Sequence, residues 1–156
     1  MRHVRPGTDA AGYRFCIVAA RWNEAFVSRL VDGALEVLVR RGAAESDLEV
    51  RWAPGSFELP LAARWAAESG RFDAVLAFGC VIRGETEHFR LVADNSASGL
   101  MRVALDTGVP VLNGVLAAHD AEQAMARSGG EHGNTGAEVA LAAVQMAALR
   151  RPGDAR

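Results

Sequence analysis

Two runs, residues 14–20 and 73–79, are apolar almost without a break, and each leads into a segment with apolar residues at helical spacing. A strand apolar on both sides must be covered on both faces, which suits parallel strands inside a sheet flanked by helices. After the first run, Val27, Leu30, Val31, Ala34, Leu35 and Leu38 make one helical stripe, closed by Gly42. Residues 48–53 alternate instead, with Leu48, Val50 and Trp52 opposed to Glu49 and Arg51, as in a half-exposed strand near an edge. A turn at 54–60 enters a helix to Ser69, with Pro60 tolerated in the first turn. From near His88 a helix carries Phe89, Val92, Ala93, Ser96, Ala97, Leu100 and Ala104, and it stops at Gly108. Residues 109–116 form a fourth strand, interrupted at Asn113-Gly114. Asp120 with Gln123, and Thr135 with Glu138, read as capping boxes of two last helices. The final helix directs Val139, Ala142, Ala143 and Met146 at the core.

This order, four strand–helix units and one further helix, specifies an α/β chain: a three-layer αβα sandwich with a four-stranded parallel sheet. Residues 1–13 are a loose arm or an added N-terminal edge strand, 14–151 a single domain, and 152–156 a loose tail. Half of the 156 residues are apolar and 23% are charged, which excludes disorder. A formal charge of −2 argues against coating nucleic acid or an anionic membrane. No apolar run approaches the roughly 20 residues that cross a bilayer. The N-terminus lacks a signal peptide's apolar stretch, so the expected compartment is the cytoplasm. Cys16 and Cys80 fall in buried strands and read as small hydrophobes, not as a disulfide or a metal pair.

Ligands of such sheets collect where buried strands end and helices begin. Residues 79–89 are such a junction and hold an Arg, two Glu, a Thr, a His and two Gly. Loops after the other strands bring Trp22-Asn23, Gly55-Ser56-Phe57-Glu58 and Asn113-Gly114 to the same edge. Trp22 offers a face for a flat heterocycle, and Glu58 and Asn113 suit hydroxyls or ring N–H groups. Backbone N–H groups near Glu85 and Thr86 suit a phosphate, with Arg127 or Arg83 as its cation. His88, an imidazole with an ordinary pKa near 6.5, suits proton transfer. Each also has a plainer reading: Trp22 as a core ring, Ser56 and Glu58 as helix-start groups, Arg127 and His88 as solvated helix residues. Only their convergence argues for a site.

Pro54-Gly55-Ser56-Phe57-Glu58-Leu59-Pro60, then Gly79-Cys80-Val81-Ile82-Arg83-Gly84-Glu85-Thr86-Glu87-His88-Phe89, then Asn113-Gly114-Val115-Leu116 resemble the 6,7-dimethyl-8-ribityllumazine synthase family. Glu122-Gln123-Ala124, Arg127, Gly133-Asn134 and Gly136 fit the same pattern. The resemblance implies a flavodoxin-like sheet assembled as pentamers or as a sixty-subunit shell, with sites between subunits. It implies condensation of 5-amino-6-(D-ribitylamino)uracil with 3,4-dihydroxy-2-butanone 4-phosphate, releasing phosphate and water, in riboflavin biosynthesis. No cofactor or metal is implied, and riboflavin synthase is an admissible partner. By the same resemblance Trp22 stacks on the pyrimidine, and Ser56, Phe57, Glu58, Cys80, Val81 and Ile82 hold the ring and ribityl chain. Asn113 contacts the pyrimidine substrate; Glu85, Thr86 and Arg127 hold the phosphate, Arg127 for an adjacent subunit; His88 moves protons.

Two positions depart from the family pattern. Glu131 and Thr135 stand where lysines are common, and Thr135 reads here as a helix cap. The short link 128–134 resembles that of shell-forming members. A non-catalytic flavin- or lumazine-binding shell protein is the alternative reading. A serine hydrolase using Ser56 and His88 ranks last, because the Gly-x-Ser-x-Gly elbow is absent.

Overall fold

The computed structural model describes residues 1–151; the expected tail at 152–156 lies outside the described residues. Strands β1 (Phe15–Ala20), β2 (Leu48–Ala53), β3 (Ala74–Ile82) and β4 (Val111–Ala118) form one parallel sheet in the order β2-β1-β3-β4. Helices α1 (Glu24–Arg40) and α5 (Thr135–Arg150) cover one face; α2 (Leu59–Glu68) and α3 (His88–Thr107) cover the other. Alternate residues of each central strand feed different cores. Phe15, Ile17, Leu76 and Phe78 meet α1 and α5, whereas Cys16, Val18, Val75 and Ala77 meet α2 and α3. Burial on both faces is why β1 and β3 read as continuous apolar runs. The two free cysteines are buried in opposite cores. The expected three-layer α/β sandwich is the fold observed.

Several local expectations change. β3 continues three residues past Gly79 because its ladder with β4 holds through Ile82↔Ala118. β4 runs unbroken through Asn113-Gly114. Gly114 is not a turn there but a clearance: a Cβ would fall 2.3 Å from the Phe78 ring. The N-terminal residues add no edge strand. Their backbone bonds go to the end of α1 instead, with the Ala10 N–H donating to Arg41 O (2.8 Å), and Ala10 and Tyr13 enter the core.

The Asp120–Gln123 cap of α4 (Ala121–Arg127) forms as expected, Gln123 N–H donating to Asp120 Oδ1 at 2.8 Å. On α5 the cap is Asn134, one residue earlier than Thr135: Asn134 Oδ1 accepts from Ala137 N at 3.3 Å. Its amide also donates to Arg29 O (2.9 Å), a tertiary bond that Thr135 cannot make from its place. The buried stripe of α5 is Gly136, Ala140, Ala143, Val144, Ala147 and Ala148, with Met146 exposed. Small residues win that face because α5 lies directly against α1. Residues 128–134 hold a small antiparallel hairpin that the sequence did not announce, β5 (Ser128–Gly130) with β6 (Gly133–Asn134). On α3, Ser96, Leu100 and Val103 are buried, whereas Phe89, Val92, Ala93, Ala97 and Ala104 of the expected stripe are only partly so.

Candidate functional site

The loops after β1, β2 and β3 are tied to one another. Arg21 and Trp22 N–H groups donate to Ala53 O (2.9 Å) and Pro54 O (3.1 Å). The Asn23 side-chain amide donates to Cys80 O at 2.8 Å, bridging the ends of β1 and β3. Asn23 is the only non-glycine residue with positive φ (59°) among the described residues. Asn tolerates that left-handed region better than most residues, so the bridge and the backbone turn select the same side chain. The β1/β3 boundary is where strand order reverses, the usual crevice of an open parallel sheet.

Trp22 is 73% exposed and Phe57 59% exposed at this crevice, so neither is a core ring. Ser56 is buried, its hydroxyl so close to Gly79 that a Cβ there would stand 2.2 Å from Oγ. Residues 56–58 form one 3-10 turn ahead of α2, and the Glu58 carboxylate folds back over Gly55. Along β3, the Cys80 side chain points into the α1/α5 core while its carbonyl faces Asn23. Cys80 therefore reaches the crevice through its backbone. Val81 and Ile82 are half-buried. Glu85, Thr86 and His88 stand exposed at the start of α3, and Thr86 Oγ1 accepts from His88 N at 3.4 Å. First-turn N–H groups of a helix lack intrahelical carbonyls, so this start presents donors beside the imidazole.

Burial pushes the thiols of Cys16 and Cys80 up to about 11 from an ordinary 9.0. Both are thus poor nucleophiles at neutral pH. An aromatic disulfide reagent at pH 8 is expected to leave both thiols of the folded protein unmodified and to titrate both after denaturation. Rapid labelling without denaturant would refute this. The linkage sign agrees: the unfolded chain deprotonates first, so stability from these thiols is full below about pH 9 and declines as pH rises toward about 11.

Asn113 is not brought to this crevice, and among the described residues the Arg127 side chain makes no hydrogen bond or ion pair to it. Asn113 pairs with Ala77, five residues short of Ile82, roughly 16 Å of strand. Its Oδ1 accepts from its own strand at Val115 N (3.0 Å). It sits on β4, the outer strand opposite β2. Arg127 ends α4, exposed and without an ion pair among the described residues. Asn23, which sequence reasoning placed in the loop without a role, is the residue it underrated; a polar residue able to take positive φ between strand and helix was the available signal.

A cavity of about 810 Å³ opens at the other end of the sheet, lined by Arg14, Arg71, Asp73, Asp106, Arg150 and Arg151 among others. Its charges are partly satisfied internally. Asp73 accepts from Arg14 N (2.8 Å) and pairs with Arg151 (2.5 Å), and Arg71 pairs with Glu49. A smaller groove of about 320 Å³ borders Glu58 between Trp52 and Trp65. Among the described residues, no three His, Cys, Asp or Glu side chains gather to hold a metal ion. No described helix is long and apolar enough to cross a membrane.

Residues 12–151 match the family model described as 6,7-dimethyl-8-ribityllumazine synthase. A protein of that name from Stenotrophomonas maltophilia (strain R551-3) is 54% identical over 136 residues, 87% of this chain and 88% of the relative. One from Xanthomonas euvesicatoria pv. vesicatoria (strain 85-10) is 52% identical over 149 residues, 96% of this chain and 97% of the relative. Over the same shares, one from Xylella fastidiosa (strain 9a5c) is 46% identical.

Proposed function

Because the chain belongs to the 6,7-dimethyl-8-ribityllumazine synthase family, a transferase family, we propose that it condenses 5-amino-6-(D-ribitylamino)uracil with 3,4-dihydroxy-2-butanone 4-phosphate. The observation that carries this reading is the crevice at the β1/β3 boundary. There an exposed Trp22 ring, the 56–58 turn, the Cys80 to Ile82 backbone and the His88 helix start lie on loops joined by direct hydrogen bonds. A flat pyrimidine stacks on Trp22, strand-end backbone groups read its edge, and Glu58 accepts from the ribityl hydroxyls. The phosphate sits at the α3 start beside Glu85 and Thr86, with Arg127 as counter-charge.

The chemistry then needs placement and proton movement. The 5-amino nitrogen attacks the ketone carbon, and loss of one water leaves an imine. The C–O bond to phosphate breaks as a proton leaves the adjacent carbon. The enol so formed takes up a proton at carbon to become a ketone, which the ribityl-bearing nitrogen attacks, closing the second ring with loss of another water. His88 relays these protons, and fixing both reactants supplies the larger part of the rate.

Asn113 and Arg127 lie toward β4, whereas Trp22 and Phe57 lie at the ends of β1 and β2. One chain therefore presents two partial sites on different sides of its sheet. A neighbouring copy supplying Asn113 and Arg127 completes the site, which supports assembly into a closed ring with one site per interface. Exposed Phe57, Leu61 and Trp65 give such a neighbour an apolar surface.

The test is purified protein mixed with both substrates, read by the product's fluorescence and by phosphate release in equal amounts. His88→Ala is expected to slow turnover about a hundredfold, the low side of what one general acid–base group contributes. Tight flavin binding without product would favour the non-catalytic binding protein instead.

A further inference from the structure

Arg127 is a long side chain on the last residue of a seven-residue helix, a poor place from which to fix a phosphate unless something holds the backbone. That something is on α1. Arg29 Nε donates to Ser128 O at 2.8 Å, and Nη2 reaches Gly129 O at 3.4 Å. The same guanidinium thus grips the two carbonyls that directly follow Arg127, and as a cation at the α4 C-terminus it is favoured by the helix dipole. Asn134, on the return strand of the hairpin, donates back to Arg29 O (2.9 Å). Gly33 makes room for this, since a Cβ there would overlap the Asn134 side chain at 2.5 Å. Ser128 is fully buried, and His132 N–H donates to Ala126 O (2.8 Å), closing the hairpin onto α4. One helix therefore carries Asn23 and Trp22 at its start and, near its second turn, the clamp on the segment bearing Arg127.

We propose that Arg29 is a positioning residue that sets the place of Arg127 and hence the affinity for the phosphorylated substrate. The claim rests on reading Arg127 as the phosphate's cation. Arg29 is read as the clamp because its Nε and Nη2 are spent on the Ser128 and Gly129 carbonyls, whereas the Arg127 guanidinium has no ion pair among the described residues. A clamp acts differently from general scaffolding. Its loss loosens one substrate subsite and leaves the other, and it has nothing further to lose once Arg127 is gone.

The experiment is steady-state kinetics of the full chain, with KM measured separately for each substrate. Arg29→Met is expected to raise KM for the phosphorylated ketone about five- to twentyfold, of the order a misplaced charged contact costs. KM for the pyrimidine should stay within about twofold. Arg29→Lys, which keeps the charge but not the fork, should fall between the two. Gly129→Ala approaches the clamp from the hairpin side. It strains a φ of +103° and places a Cβ 3.3 Å from Arg29 Nη2, so it should give the same one-sided change even if Arg29→Met folds poorly. In an Arg127→Ala background, Arg29→Met should add less than about twofold. Equal rises in both KM values, no rise in either Arg29→Met or Gly129→Ala, or full multiplication with Arg127→Ala would overturn the proposal. If Arg127→Ala alone leaves KM for the phosphorylated ketone unchanged, the assignment of Arg127 fails, and that result is read without any Arg29 variant.

Discussion

Arg127→Ala is expected to raise KM for the phosphorylated ketone, or lower kcat/KM for it, about ten- to hundredfold, the range for deleting one charged hydrogen-bond partner of an anion. Besides Arg127 and the exposed Arg83 of the same loop, the proposed phosphate site offers neutral donors, helix-start N–H groups and the Thr86 hydroxyl, with the Glu85 carboxylate nearby working against the anion. Glu131 and Thr135 add no cation of their own. The positive charge therefore comes from two guanidiniums at most, which makes this substitution more damaging here than where several cations share the load. Arg127→Lys should recover part of the loss, since a point charge replaces a fork. The pyrimidine's KM should barely move. Separate titration of the two substrates decides the matter: an unchanged profile for the phosphorylated ketone removes Arg127 from the site.

The layered fold was legible because its signals are local and redundant. β1 and β3 announce burial on both faces by composition, and the α1 stripe recurs with a clean helical period. Errors came where one residue type serves two physical ends. Asn113-Gly114 looks like a turn, yet Gly114 is there to pass the Phe78 ring. Thr135 with Glu138 looks like a cap, yet Asn134 also has Arg29 O to bond, and that partner lies 105 positions away. The α5 face was misjudged because alanine-rich sequence is apolar all round, so periodicity has little to detect. Of the candidate site, the crevice at β1 and β3 follows from strand ends alone. The position of Asn113 and Arg127 relative to it does not, because it depends on strand register and on a hairpin pinned by one arginine.

Gly136→Ala is expected to be the most destabilising glycine-to-alanine change among the described residues, at about 3 kcal/mol, the upper part of the range for overpacking. The added Cβ would lie 1.9 Å from Leu30 O, 2.6 Å from Leu30 C and 2.8 Å from its Cα. These are backbone atoms inside α1, so no side chain can swing away and relieve the overlap; α1 and α5 must separate. Separation loosens the contacts of Ala140, Ala143, Val144 and Ala147, which are nearly or fully excluded from solvent. Alanine's better helix propensity offsets at most about 1 kcal/mol, less so near the first turn. For a domain of this size the melting midpoint should fall by roughly 6–12 °C. Because the proposed assembly would couple to folding, parent and variant are compared at one protein concentration. Gly7→Ala is the control, with no atom within 4 Å of its added Cβ and no positive φ, and it should melt with the parent. The damage should also reach the site, since α1 bears Asn23 at its start and Arg29 along its length. A Gly136→Ala protein melting within about 2 °C of the parent would mean that the two helices are not packed at backbone contact, and the close α1–α5 seam would have to be abandoned.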